Sequence, residues 1–432
     1  MAAVEQMPQP RTDWKSRVAR RWRTALVLAI LVAAAVPAGY YLRGWWHWTL
    51  ARSALERYHS ETAQEHLRVC RQIWPKSVQV HLLEARAARR QGEFEAADEY
   101  LRACERLSLP VPDEVVLERA LLRATAGDLP EQVEEYLLKR AERDPASAPL
   151  VWEALAAGYT RVYRVLEASA CIDRWQARDP ENIQARLLRA NMWRQLKQLP
   201  KAAPEYERVV ELDPEQREAR YWLAVVQLEV GRYADAKGHL DYLYKRGMAR
   251  SDILIYMARC DKGLGQFSQA RKTLDAVLAE EPKNGLALRA RGDLELAAGL
   301  PESAETWLRQ AADLLPHDYL TQWLLYQSLV QQNKKEPASA QQRRVDDLKE
   351  RLERLNDITA TKMSKQPHDP ALHQEMADLL AGLGHPELAE VWWHSALRKD
   401  PFYVPAHRAL AEYYRERGNA ERAEYHRQHA GS

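Results

Sequence analysis

The chain has 432 residues, 29% of them charged, with 63 lysines and arginines against 61 aspartates and glutamates and a mean hydropathy of -0.56. Six of the basic and two of the acidic residues fall in the first 23 positions, so a tail of +4 precedes a body of -2. No polybasic face with interleaved aromatics remains to bind nucleic acid, and four cysteines without CxxC spacing exclude a cysteine metal knuckle.

The first element is the basic tail itself, Arg11, Lys15, Arg17, Arg20, Arg21 and Arg23. Thr24 to Leu42 follows, nineteen residues without a formal charge. At about 1.5 Å per residue such a run spans roughly the 30 Å hydrocarbon layer, and Tyr40, Tyr41, Trp45, Trp46 and Trp48 are rings of the interfacial kind. The expectation is a cytoplasmic tail over 1–23 and a transmembrane signal anchor over 24–42, with everything after residue 43 across the membrane. The alternative is cleavage before Gly39, where Val36, Pro37 and Ala38 supply small residues, releasing a soluble exported binding protein.

From residue 44 to the end one unit recurs eleven times. Anchors at Tyr58, Gly92, Gly127, Tyr163, Lys197, Gly231, Gly265, Gly299, Asn333, Gly384 and Gly418 are 34 to 36 residues apart, except for one step of 51. Five positions beyond the anchor the residue is alanine in every unit but the third, which has Gln132. Seven positions before it the residue is alanine in nine units, with Gly292 and Tyr326 in the others. Two small positions on two helices mean two backbones in close approach. Leu67, Leu101, Tyr136, Ile172, Tyr206, Leu240, Leu274, Leu308 and Trp393 share one apolar site on the second helix. Pro75, Pro110, Pro145, Pro180, Pro214, Pro282, Pro316, Pro367 and Pro401 stop that helix and turn the chain into the next pair. Looser packing is expected at Gln132, at Tyr326, and at Met248, which stands where proline does elsewhere. The cysteines Cys70, Cys104, Cys171 and Cys260 read as core filling.

This grammar resembles the tetratricopeptide repeat family over residues 44–432. It is clearest in Trp152, Leu155, Ala156, Tyr159, Ala168 and Pro180, and again in Leu410, Ala411, Tyr414, Gly418 and Ala423. The resemblance implies an all-α, right-handed superhelical solenoid of about eleven helix-turn-helix units, preceded by the transmembrane helix. With that helix the chain looks like a membrane-anchored bacterial member, single-pass in the inner membrane, its N-terminus in the cytoplasm and its repeats on the periplasmic or extracytoplasmic side. In this family the first helix of each pair lines a concave groove. Its ligand-facing positions here include Glu153, Arg161, Gln184, Gln195, Glu229, Asp252, Asp293 and Gln327. The partner-binding residues singled out are Asn191, Arg194, Tyr221, Arg259, Lys262, Arg289 and Trp323. Asn191 with the cations resembles a clamp for a peptide carboxylate, since amides pair with peptide backbone and guanidiniums fork onto carboxylates.

The long step between Asn333 and Gly384 contains a charged stretch, about 334–366, in which Val345, Leu348, Leu352, Leu355 and Ile358 form an apolar stripe. It reads as an extended second helix of repeat nine projecting from the stack. Two heptads are too few for a coiled coil, so a homo-oligomer is not favoured. Histidines crowd the last repeats, and His426 with His429 could reach a metal only with a third ligand, so no metal is assigned. There is no Gly-rich phosphate loop, GxSxG elbow or HExxH helix, hence no catalytic residue and no cofactor. The reading is a scaffold binding a protein or peptide in its groove, or else a non-catalytic accessory subunit of an envelope assembly, export or biogenesis complex.

Overall fold

The computed structural model describes residues 38–248 and 250–431. Among these residues there is no strand, and the helices fall into eleven antiparallel pairs. Repeat one joins a helix over 38–56 to Ser60–Ile73, and repeat two joins Val78–Gln91 to Phe94–Leu107. Asp113–Thr125 with Glu131–Arg143, Ala148–Arg161 with Val165–Arg178, and Ile183–Gln195 with Leu199–Leu212 are repeats three to five. Repeats six to eight are Arg217–Glu229 with Tyr233–Lys245, Ser251–Gly263 with Phe267–Glu280, and Gly285–Ala297 with Pro301–Leu314. Tyr319–Gln331 with Lys335–Asp357, Pro370–Gly382 with Pro386–Lys399, and Val404–Glu416 with Ala420–His429 complete the series. The first helix of each pair is called A and the second B. The chain forms two compact units, Met1–Lys139 and Arg140–Ser432, divided within helix B of repeat three.

Every anchor residue is left-handed, with φ between 57° and 83°. In all eleven, the amide one past the anchor donates to the carbonyl four before it, at 2.7 to 3.0 Å, as His59 does to Ala54 and Asn419 to Tyr414. This is the closing bond of a Schellman turn, which satisfies carbonyls that the end of helix A would leave bare. Glycine takes the conformation freely at seven anchors. Tyr58, Tyr163, Lys197 and Asn333 hold it without that freedom because the turn on either side is closed. At the other end, Ser77, Asn182, Asn284, Asp318 and Asp369 cap helix A by accepting a backbone amide of its first turn.

A second recurrent device lies eleven residues before the anchor. His81, Arg186, Arg220, Gln322, His373 and His407 each donate to the carbonyl of the turn proline six residues earlier, at 2.8 to 3.1 Å. Several also reach helix B of their own repeat: Arg186 to Glu205, Arg220 to His239, Gln322 to Gln341 and His407 to His426. The polar side chain thus ties three segments that hydrophobic burial alone would not orient. Three of the C-terminal histidines are explained by this role or its partner.

The core runs between the pairs. Ala63, Ala97, Ala168, Ala202, Ala236, Ala270, Ala304 and Ala389 are fully buried, and so are Leu67, Leu101, Ile172, Tyr206, Leu240 and Leu308. In repeat three the register moves by one residue. Gln132 is exposed, while Val133 and Leu137 are buried in its place. Helix B starts at Glu131, four residues past Gly127 instead of the two found in the other repeats, and the buried position moves with it. Repeat six replaces the missing proline with a left-handed Gly247, and Met248, half-buried, packs against the core. All four cysteines are buried, and burial pushes the Cys70 and Cys104 thiols up to about 11.

At Gly292 helices A and B of repeat eight approach closely. A Cβ there would lie 2.5 Å from Cγ of the fully buried Leu308. Gly292→Val is therefore expected to cost about 1–3 kcal/mol through overpacking, read as a lowered urea midpoint by far-ultraviolet circular dichroism. An unchanged midpoint would show that the junction is plastic.

Location in a membrane is corrected by the structure. Among the described residues no helix is long and apolar enough to cross one. The tail over 1–23, residues 24–37 of the expected anchor, and most of the segment before the cleavage point lie outside the described residues. What is described, from residue 38, opens helix A of repeat one, which continues to residue 56 through Arg43, Arg52 and Glu56. The Tyr40 hydroxyl donates to the Gln72 carbonyl at 3.2 Å, and a Cβ on Gly44 would meet the Trp74 ring at 2.8 Å. The aromatic run from Tyr40 thus belongs to a helix docked on its own repeat and carrying charges at intervals. A single-pass inner-membrane placement has no support in it.

Candidate functional site

The residues singled out from the sequence all lie on A helices of repeats five to nine, in the second unit. What the structure adds is the partner of each side chain.

In repeat five, Asn191 Oδ1 accepts from the Tyr206 hydroxyl at 2.5 Å, and Arg194 Nε donates to the same hydroxyl oxygen at 3.2 Å. The Arg194 guanidinium lies 3.7 Å from the centroid of Trp222, a cation–π distance. Burial pushes the Tyr206 phenol up to about 12. Asn191 and Arg194 are thus drawn toward helix B and the next repeat's tryptophan. In repeat six, the Tyr221 hydroxyl donates to Asp252 at 2.9 Å, and its ring meets Tyr256 edge-on at 6.0 Å. Burial first, then Tyr256 and Asp252, raises its pKa.

From repeat six onward the cations are paired across repeats. Arg259 donates to Glu229 at 3.0 Å, Lys262 pairs with Asp293, and Arg289 donates to Asp318 at 2.9 Å. Asp318 also caps helix A of repeat nine through Thr321. Burial pushes the Asp318 carboxyl up, but Arg289 and Thr321 outweigh it and hold the pKa below the usual carboxylate range. Trp323 lies half-buried beside Tyr326, ring centroids 5.5 Å apart. Glu153 is buried in repeat four, and burial lowers the pKa of Arg161.

The geometry differs from a cluster of free cations. The three ion pairs link neighbouring A helices from repeat six to repeat nine, and their side chains remain 16 to 44% exposed. Partly exposed pairs of this kind are worth about 0–1 kcal/mol, so a ligand carboxylate can take a cation from its resident partner at small cost. Trp222, Tyr256 and Asp318 belong to this surface and were not singled out. Asp318 was findable as an acidic cap residue before helix A; Trp222 and Tyr256 have no signal beyond being aromatic.

Two other recesses lie in the second unit. One, of about 410 Å³, is lined by His394, Leu397, Arg398, Pro401, His407, Tyr425 and His426. There His407 Nδ1 faces His426 Nδ1 at 2.9 Å, and His407 Nε2–H donates to the Pro401 carbonyl, so His426 is the donor between the two rings. Among the described residues no three histidine, cysteine or acidic side chains gather as a metal site. The other recess lies beside the long helix of repeat nine. Elsewhere in this unit, Tyr163 of the repeat-four turn packs 6.2 Å from Trp392 of repeat ten.

Two family models, both described as tetratricopeptide repeat, match the chain. One covers residues 194–243 and 228–294, the other 82–148 and 164–215. No curated protein matches significantly. Among solved structures, a tetratricopeptide repeat protein from Parabacteroides merdae is 19% identical, covering 57% of this chain and 98% of its own, with a TM-score of 0.49. PilW, a type IV pilus biogenesis factor, is 20% identical over 46% of this chain and 92% of its own, TM-score 0.39. YrrB, described as having an unusual peptide-binding site, is 18% identical over 43% and 95%, TM-score 0.37.

Proposed function

We propose that this chain, whose helical pairs match tetratricopeptide repeats over residues 82–148 and 164–294, is a non-catalytic scaffold that binds a protein or peptide partner along the A helices of repeats five to nine. Repeat arrays of this kind generally serve protein–protein interaction, because an extended stack offers many modest contacts in place of one chemical centre. The observation that carries the placement is the run of exchangeable pairs, Glu229 with Arg259, Asp293 with Lys262 and Asp318 with Arg289, flanked by Tyr221, Trp222 and Trp323. Aromatic groups supply contact area at low entropic cost, and the paired charges set register. A partner with acidic side chains or a free carboxylate meets Arg259, Lys262 and Arg289 in sequence, while its basic groups meet the carboxylates so released.

Arg259→Ala with Lys262→Ala is expected to lower capture of such a partner about tenfold, the scale of losing one or two charge-assisted hydrogen bonds. The measurement is quantitative mass spectrometry of proteins crosslinked to the full chain, with circular dichroism confirming an intact fold. Equal capture by the double variant would remove this face from the binding surface.

A further inference from the structure

The period breaks once, and the break builds a groove. Helix B of repeat nine runs 23 residues, Lys335–Asp357, and continues through a π-helical segment, Ile358–Lys362, to Lys365. Ile358 and Met363 are buried in the core of repeats ten and eleven, which pins the far end of the extension. Its middle turns then lie alongside helix A of repeat ten, Pro370–Gly382, and enclose a recess of about 460 Å³.

The walls of that recess are unbalanced in charge and in hydrogen bonding. Asp347, Glu350, Glu375 and Asp378 face two guanidiniums, those of Arg351 and Arg354. Arg351 forks onto Asp347 at 3.0 and 3.1 Å, and Arg354 pairs with Glu375. Both cations are therefore committed. Asp378 accepts through Oδ1 from Gln374 Nε2 and Trp393 Nε1, at 2.8 and 2.9 Å. Glu350 makes no ion pair among the described residues. Gln374, nine-tenths buried in the groove wall, has given its amide nitrogen to Asp378, and its Oε1 has no hydrogen-bond partner. An unmet buried acceptor costs about 1–3 kcal/mol, so a donor that reaches it is favoured. The groove thus carries two carboxylates in excess and an orphan amide oxygen, that of Gln374.

We propose that this groove docks a basic segment of a partner protein, one arginine or lysine side chain entering between Glu350 and Asp378 toward Gln374 Oε1. Those side chains carry donors and no acceptor, which complements the recess, and Leu379 with Ala371 offers an apolar bed for their methylene stems. This surface is separate from the A-helix face of repeats five to nine, so its failure leaves the reading of that face untouched.

The test is fluorescence anisotropy of a labelled hexa-arginine peptide with the full chain, at low and at near-physiological salt. Binding is expected, weakening with salt as partly exposed charges are screened. Glu350→Gln and Gln374→Met are each expected to weaken it about tenfold. Glu353→Gln, on the same helix but outside the groove, changes net charge equally and is expected to have no effect. Absence of binding would overturn the proposal, and so would equal loss in Glu353→Gln, which would mean general attraction to an acidic surface. Spermidine competing as well as the peptide, charge for charge, would also overturn it, since the site would then hold a free polyamine.

Discussion

Glu118→Leu is expected to destabilise repeats two and three by about 3–5 kcal/mol, the usual cost of stranding a buried charge. Glu118 is 1% exposed and sits between Arg86 at 2.9 Å and Arg89 at 2.8 Å. Arg89 has a fully buried side chain, also bonded to Thr125, and joins helix A of repeat two to helix A of repeat three. Leucine fills the volume but takes the Glu118 carboxylate away from the buried Arg89 guanidinium, whereas Arg86, 21% exposed, turns to water. Burial works against the Glu118 carboxylate, yet Arg86 and Arg89 together bring its pKa down to about 2. A depressed carboxylate contributes stability fully above its unfolded pKa of about 4.5 and loses it as pH falls toward 2, so the deficit of the Glu118→Leu variant is full at neutral pH. Hydrogen exchange is the suitable measurement, because a repeat array opens locally. Protection should fall first over residues 78–125. Loss below about 1 kcal/mol would mean that the other groups around Arg89 hold its charge without Glu118. Combining Glu118→Leu with Arg89→Met should restore most of the loss, since removing both charges is far less costly than removing one.

The second large effect is acid softening of repeat ten through His373. This histidine is 3% exposed, with Nε2 donating to the Pro367 carbonyl, Nδ1 facing the Ser395 hydroxyl at 2.9 Å and Trp392 against its ring. Burial is the main reason its pKa falls to about 4; Lys399 and Arg398 add to the fall, while Pro367 and Asp369 oppose it. The folded repeat therefore keeps His373 neutral where the unfolded chain, with a pKa near 6.5, takes up a proton. Stability is full above pH 6.5, declines as pH falls through the window from 6.5 to 4, and levels off below it. At about 1.4 kcal/mol per pKa unit the whole window is worth about 3 kcal/mol. His426 is pushed down to about 4 as well, by burial and then by His394, His407, His429 and Arg422, so repeat eleven softens in the same direction. Urea denaturation at about pH 7.5 and about pH 5, on either side of most of that window, measures the loss. His373→Gln should reduce it, because Gln322 makes the same proline-carbonyl bond in repeat nine without titrating. An identical pH dependence in that variant would assign the softening elsewhere.

How much of this was legible follows from what each feature depends on. Small residues at Ala97 and Ala85 report backbone approach within one pair, and that information is local, so the pairing and its count were readable. The left-handed turn was half visible: seven glycines announce it, but Tyr58, Tyr163, Lys197 and Asn333 do not, because there the closed turn imposes the conformation on residues with no preference for it. The proline-carbonyl tie hid for a different reason. Histidine, arginine and glutamine share only a donor at one position, and composition does not show that they do the same work. In repeat three the alanine pattern pointed at Gln132, while a longer loop after Gly127 moved burial to Val133. The extension of repeat nine was readable as a long amphipathic helix, but the expectation that it projects from the stack was wrong: Ile358 and Met363 dock its end in the core and leave a groove beside it.

The sequence by itself determined that this is an all-α array of paired helices, since a 34-residue period with two small positions and a turn residue has few other ways to bury its apolar faces. Which helix-A positions face a ligand was an expectation supplied by the resemblance to tetratricopeptide repeats. The tertiary structure decided what those side chains do. Arg259, Lys262 and Arg289 looked like free cations when each repeat was read alone, and each is held by a carboxylate about thirty residues away on a neighbouring repeat. It also placed residues 38–42, the described end of the apolar run, in helix A of repeat one. Charge pairing and docking depend on distances between repeats, and those distances exist only once the pairs have stacked.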